Sequence, residues 1–231
     1  MMDSKKDIGS LFDRIAGTYD RFNHLLSLNI DKSWRRKAVK RLRKAGEVLD
    51  VAIGTADLAI EMMRQEKADK VTGLDLSAEM MKIGAEKVER KGLSDRISFR
   101  QGSALEMPYA DGSFDAVTCA YGVRNFSELD RGLSEMYRVM RSGGQLMVLE
   151  FSYPSNPVIR AVYDFFFSNL MPIVGRIVSK DPSAYKYFRE SVKNFIWGEE
   201  MLDHLRKAGF ENAGFKTLTF GITTIYTAEK K

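Results

Sequence analysis

Cysteine is nearly absent. Cys119 stands alone, so a disulfide framework and a Cys-rich zinc site are both excluded. Two histidines, His24 and His204, leave little material for a histidine metal centre, and no metal is expected. The first residues, MMDSKKDIGS, lack the apolar core of a signal peptide. No run of about 18 uncharged apolar residues occurs. The most apolar stretch, Ala161 to Val178, is broken by Asp164, Pro172 and Arg176. A soluble cytoplasmic protein is the expectation. Repeats and low-complexity tracts are also missing. What is there is ordinary for a globular chain: 231 residues, 44% hydrophobic and 29% charged, enough for one domain spanning 1–231. The net charge of +5 permits attraction to phosphates or an anionic membrane without demanding it.

The middle of the chain alternates short apolar runs with helical spacing. Strands are predicted at Glu47–Ile53, Lys70–Leu76, Ile97–Gly102, Phe114–Ala120 and Gln145–Phe151. Helices are predicted at Ala56–Glu66, at Ala78–Arg90 behind a Ser77 cap, and at Glu128–Met140 between Ser127 and Gly143–Gly144. Strand, helix, strand at these lengths means right-handed crossovers and a parallel sheet covered on both faces. The tail differs. After a helix at Glu199–Lys207, two strands, about Gly214–Phe220 and Ile222–Ala228, meet at Gly221 and must run antiparallel. The fold class is α/β, a mostly parallel sheet with an antiparallel C-terminal hairpin strand.

Open parallel sheets bind ligands at the carboxyl ends of their strands. The first such end reads Asp50-Val-Ala-Ile-Gly-Thr-Ala-Asp57. Gly54 admits close backbone approach, Thr55 adds a hydroxyl, and the next helix aims its N–H groups at the site. Asp75, followed by Leu76, lies roughly 20 residues on, where a carboxylate can accept from ribose hydroxyls. The third strand ends in Gly102-Ser103-Ala104. Gly54 is the loop's single glycine, so the dinucleotide fingerprint fails, and a tight turn with a surface acid is the plainer alternative.

The glycine loop, Asp75 and the phrase MPYADGSFDAV resemble class I S-adenosylmethionine-dependent methyltransferases. Two longer stretches narrow the resemblance. Tyr19 to Trp34 (YDRFNHLLSLNIDKSW) and Arg138 to Ser152 (RVMRSGGQLMVLEFS) are similar to the signatures of the ubiquinone/menaquinone biosynthesis C-methyltransferases. Tyr121-Gly-Val-Arg-Asn125 and Ser183 to Ser191 fit as well, and the likeness runs from Phe12 to Tyr226. It implies a Rossmann-like fold and S-adenosyl-L-methionine as cofactor. Thr55, Asp75, Ser103 and Ala104 are implied cofactor contacts; Asp50, Gly54 and Leu76 join them by position. Departures concentrate in the cofactor loop. Alanine stands at 52 and 56 where the family favours glycine, and Ser103 replaces an acid or amide. Asp31 stands where the first signature usually has histidine, and Arg141-Ser142 replaces Lys-Pro.

The implied reaction is C-methylation of a demethylated polyprenyl quinol, demethylmenaquinol to menaquinol, with a benzoquinol or another small hydrophobic acceptor as alternatives. Such chemistry needs alignment at about 3 Å and exclusion of water. It also needs a stabilised phenolate and a base for the ring proton. Arg124, just past the fourth strand, is the candidate to hold the phenolate, with Tyr121 and Asn125 beside it. The alternative has Arg124 paired with a structural carboxylate and Asn125 capping a helix. Asp20, Asn23, Tyr185 and Tyr187 are candidate substrate contacts. From Phe151 to Trp197 lie 11 of the chain's 25 aromatics, so an insertion at 153–198 reads as an aromatic lid or a satellite core. Residues 1–45 read as an N-terminal helical lid. Within it, Asp31–Lys44 carries eight basic residues and one acid, with Trp34, Ala38 and Leu42 at helical spacing. That pattern suits either a solvated surface helix or peripheral contact with the inner face of the cell membrane. A basic adaptor is the non-enzymatic reading. No base-reading motif supports nucleic acid as a partner. A homodimer stays open.

Overall fold

Neighbouring residues of the first strand part to opposite sides. Val48 joins a core with helices on one face, and Leu49 and Val51 join a second core on the other. This is the signature of a strand buried on both faces. The computed structural model describes residues 8–27, 29–170 and 182–231, and for residues 21–26, 167, 170 and 182–186 only the backbone.

The strands are β1 (Ala45–Val51), β2 (Ala68–Asp75), β3 (Ile97–Gln101), β4 (Phe114–Ala120), β5 (Met140–Phe151), β6 (Glu211–Leu218) and β7 (Thr223–Glu229). They form one sheet in the order β3-β2-β1-β4-β5-β7-β6. β1 pairs in parallel with β2 on one side and β4 on the other, so the order reverses there and opens a crevice at the carboxyl ends. β7 alone runs against its neighbours, between β5 and β6.

Helices α1 (Ile8–Leu26), α2 (Ile30–Val39), α3 (Asp57–Arg64), α4 (Ala78–Arg90), α5 (Leu129–Val139), α6 (Pro157–Phe165), α7 (Pro182–Asn194) and α8 (Glu199–Lys207) connect or cover these strands. α4 starts as its sequence demands, with the Ser77 hydroxyl accepting from Met80 N at 3.1 Å. α5 does not. Its cap is Glu128 without a side-chain bond, and Ser127 plays no such part. Nor do Gly143 and Gly144 end it. The carbonyls of Arg138 and Val139 are taken by the N–H groups of Gly112 and Ser113, and the chain passes straight into β5. The hairpin join is also longer than expected, a 3-10 turn at Thr219–Gly221.

α2 turns Trp34, Ala38 and Val39 into the core, each at most 3% exposed. Full burial of a side chain the size of Val39 stabilises by about 1.5–3 kcal/mol. The Trp34 indole donates to the Thr219 hydroxyl at 2.8 Å. The basic face of this helix meets solvent, and its apolar stripe packs into the core over the sheet. The aromatic insertion between β5 and α8 holds a small core of Tyr163, Phe188 and Val192, against which Phe151, Tyr153 and Ile222 pack.

Candidate active site

β1 ends at Val51 because the next residue leaves the extended region. Ala52, Gly54 and Ala56 all have left-handed φ, at 56°, 54° and 65°. For an alanine that conformation costs roughly 1–2 kcal/mol. This tight loop brings Gly54 N to 2.8 Å from one oxygen of Asp75, while Ser77 N reaches the other at 2.9 Å. Burial pushes the Asp75 carboxyl up from its ordinary range, against the backbone N–H groups of Ser77, Gly54 and Leu76. Each oxygen still has room to accept a second bond.

Behind the loop lies Asp50, 1% exposed. One oxygen accepts from the Thr118 hydroxyl at 2.7 Å. The other has no partner among the described residues. Burial pushes this carboxyl up to about 7; the Thr118 bond and Arg35 oppose the rise and Asp75 adds to it.

A cavity of about 570 Å³ opens in front of the loop. Gly54, Asp75 and Leu76 form one wall, Ser103 and Ala104 the next, and Tyr121 and Asn125 the far side. Phe12 and Tyr19 of α1 line it from above. α1 is tied down at two points. Asp13 accepts from the Ser77 hydroxyl, and Asp20 pairs with Lys87 at 2.6 Å.

The far side is built on a bent backbone. Tyr121 has φ 60°, and its carbonyl accepts from Arg124 Nη1. The same nitrogen donates to Glu150 Oε1 at 2.8 Å, and the Arg124 backbone N donates to Oε2 at 3.2 Å. Arg124 Nε reaches the Ser191 hydroxyl at 3.4 Å, and the guanidinium lies 5.5 Å from the ring centres of both Phe151 and Phe188. Burial works against this cation, but Glu150, Tyr19 and Tyr187 together more than offset it and hold the guanidinium charged. Nη2 makes no hydrogen bond among the described residues. Asn125 caps no helix. Its Oδ1 accepts from the Tyr187 hydroxyl at 2.8 Å, and its Nδ2 faces the Tyr121 carbonyl at 3.5 Å.

Seven of the sequence-derived residues therefore share the cavity wall: Gly54, Asp75, Leu76, Ser103, Ala104, Tyr121 and Asn125. Others do not. Thr55 turns away, bonded to Asp20 at 2.7 Å and Lys87 at 3.0 Å, so Asp20 too is spent on this network. Ser103 uses its hydroxyl to hold Leu105 N at 3.1 Å. Arg124 is 9% exposed and ion-paired, the arrangement of the alternative reading. Tyr187 stands behind Asn125. The side chains of Asn23 and Tyr185 lie outside the described residues. Sequence reasoning missed Phe12, Tyr19 and Glu150. The signals were there: two aromatics seven apart on one helix face, and a lone acid inside the apolar run QLMVLEF.

The cavity suits a nucleoside. It offers a carboxylate to a ribose diol, and Leu76, 49% exposed, to the flat face of a base. A Cβ built on Gly54 would meet nothing within 4 Å, so the loop backbone stands open to a ligand. Such volumes are usual for small-molecule sites, about 300–1,000 Å³.

The model of the ubiE/COQ5 methyltransferase family matches residues 1–230. A demethylmenaquinone methyltransferase of Bacteroides fragilis is 43% identical over 99% of this chain and 95% of its own. A protein of Geotalea daltonii named ubiquinone/menaquinone biosynthesis C-methyltransferase UbiE is 42% identical over 96% of each. Among solved structures, a SAM-dependent methyltransferase of Thermotoga maritima superposes with TM-score 0.70 at 21% identity, over 97% of this chain and 100% of its own. The [4+2]-cyclase SpnF does so with TM-score 0.72 at 19% identity, over 98% and 97%. At these identities the structural matches establish the fold alone, and one of them is named for a different chemistry.

Proposed function

The chain belongs to the ubiE/COQ5 methyltransferase family, and on that premise we propose that it methylates a ring carbon of demethylmenaquinol, with S-adenosylmethionine as donor. The observation that carries this reading is the two-sided cavity. Its Gly54–Asp75 wall suits a nucleoside, and its Tyr121–Asn125 wall, with an aromatic ring and the Asn125 amide, suits a phenolic ring.

Bound S-adenosylmethionine supplies a methyl group on a sulfonium, a leaving group that needs no acid. The chain's residues then have three tasks. Asp75 and the Gly54 backbone grip the ribose end, and Leu76 covers the base. Phe12 and Tyr19 cover the cavity and exclude water. Asn125 Nδ2 is the donor on the cavity wall, and Arg124, one residue before it in the chain, is a buried positive charge. A phenol held near a guanidinium and an amide N–H has a lowered pKa, so its proton passes to solvent and its ring carbon becomes nucleophilic. That carbon takes the methyl while sulfur keeps the electron pair of the broken bond, and the carbon's own proton then leaves to solvent. Glu150 keeps Arg124 charged and fixed, so Arg124 acts as an electrostatic group that is also structural. Here the two readings of this arginine combine.

The polyprenyl tail needs an apolar exit. α6 leaves the carboxyl end of β5 and carries Val158, Val162 and Phe165 along one face, 70%, 63% and 65% exposed. Phe220, 78% exposed, stands in the hairpin turn near the same rim. These side chains support peripheral membrane contact at the α6 rim instead of the basic helix. No helix among the described residues is long and apolar enough to cross a bilayer.

The relatives that carry both quinone names favour a benzoquinol acceptor as the second reading. Incubation with methyl-labelled donor and short-chain demethylmenaquinol tests the first. The expected product is labelled menaquinol, with slower transfer to the benzoquinol analogue. Folded, donor-binding protein that labels neither quinol would refute both.

A further inference from the structure

The amide of Asn125 has two chemically opposite ends, and which one meets the cavity decides what the cavity binds. The structure itself fixes that choice. The Tyr121 carbonyl can only accept, so the end of the amide facing it, at 3.5 Å, is Nδ2. Oδ1 is thereby turned to Tyr187, whose hydroxyl donates to it at 2.8 Å. The carbonyl selects the orientation and the hydroxyl, which can donate or accept, secures it by donating to the oxygen it meets. Without it, Oδ1 would lack its donor and the amide would be held only by the longer 3.5 Å contact.

Tyr187 belongs to α7, 62 residues further along the chain, and is itself half-buried. Its helix is seated on the same turn by neighbours. Phe188 lies under the Arg124 guanidinium and Ser191 accepts from Arg124 Nε. So the aromatic insertion clasps the Val123–Asn125 turn through Tyr187, Phe188 and Ser191, the last lying four and three positions after the others on one face of α7.

We propose that Tyr187 is a positioning residue that secures the polarity of the acceptor wall: by donating to Asn125 Oδ1 it steadies the pose that leaves the amide N–H end for the oxygen of a phenol or phenolate. The proposal rests on the quinol reading given above and adds a specificity rule to it. The wall prefers an acceptor with oxygen in anionic or carbonyl form and discriminates against a ring whose nearest group is a donor alone. Tyr187 does so without itself touching the ring.

The test uses the full chain with short-chain demethylmenaquinol. Tyr187→Phe removes one oxygen and keeps the ring. It is expected to lower kcat/KM by about five- to tenfold, the worth of one net hydrogen bond. It is also expected to move the rising limb of the pH–rate profile to higher pH, because phenolate is held less well. Affinity for S-adenosylhomocysteine, read by calorimetry, stays within about twofold, which shows the fold and donor wall intact. On an Asn125→Ala background the same change adds less than about twofold, since no amide remains to orient. Asn125→Asp supplies a second arm. It keeps an acceptor for Tyr187 but shows the cavity no donor, so its loss matches that of Asn125→Ala. An unshifted pH profile, an undiminished Tyr187→Phe effect on the alanine background, or an Asn125→Asp variant as active as the parent would each overturn the proposal while leaving the quinol reading standing. An unmodified chain that binds the donor and fails on every quinol would overturn both.

Discussion

Arg124 and Glu150 form the buried ion pair on which the acceptor wall hangs, and breaking it one partner at a time separates stability from chemistry. Arg124→Met leaves Glu150, 0% exposed, without its cation and with two backbone N–H bonds, from residues 124 and 151. Stranding a buried charge costs about 3–5 kcal/mol. For a chain of 231 residues each kcal/mol lowers Tm by about 2–4 °C, so a fall of about 6–20 °C is expected at pH 8. The penalty depends on pH with a definite sign. Burial already pushes the Glu150 carboxyl up, and the loss of Arg124 removes the main opposing charge. The folded variant then binds a proton more tightly than the unfolded chain, so its stability falls as pH rises through the raised pKa. Near the unfolded carboxylate value, about 4.3, the penalty is small. Adding Glu150→Leu removes the stranded charge. Most of the lost Tm should return. Turnover should not, because no cation is left beside the acceptor wall. Calorimetric unfolding at pH 5 and pH 8, with a turnover assay on each variant, reads both. A double variant that regains activity would show that Arg124 serves structure alone. A single variant equally unstable at both pH values would refute the buried, ionised pair.

Asp50→Asn is expected to stabilise the protein at pH 8 and to change little at pH 4. The folded carboxyl is pushed up to about 7 by burial, so stability is lost as pH rises from the unfolded value through that point. An asparagine escapes a loss of about 4 kcal/mol by linkage, less the cost of its own unpaired amide. Melting curves at the two pH values decide it, and equal Tm changes at both would be the wrong answer. At the lipid rim, Val162→Ser with Phe165→Ser should release the protein from anionic vesicles at least severalfold, with donor affinity unchanged. Undiminished co-sedimentation would show that another surface meets the bilayer.

How much of this was legible beforehand depends on distance along the chain. Gly54 and Asp75 were legible because strand, loop and strand arithmetic puts both at one rim, and they now share a 2.8 Å bond. Thr55 was legible as a loop residue, but which way it points was not. The alanines at 52 and 56 take left-handed φ, and the turn they make sends its hydroxyl to Asp20 and Lys87. The spacing of Trp34, Ala38 and Leu42 announced an amphipathic α2. No spacing says whether the stripe meets a bilayer or a sheet, and here the sheet takes it. Arg124 was visible as a charge near the rim, yet its partner sits 26 residues away inside an apolar strand. An acid in such a run must be paired, and that chemical rule would have found Glu150 where periodicity could not. Tyr187 was read as a substrate contact because it lies in the family-like stretch from Ser183 to Ser191. Only the fold shows that it reaches Asn125.

The central claim is that Gly54 and Asp75 hold a sulfonium nucleoside at the switch point of the sheet. Its most direct test is calorimetric titration of S-adenosylhomocysteine into the unaltered chain and into Asp75→Ala. Saturable binding with one site is predicted for the first, weakened by about ten- to a hundredfold in the second, the worth of a hydrogen bond to a charged group. Equal affinity in the two, with both folded, would contradict it.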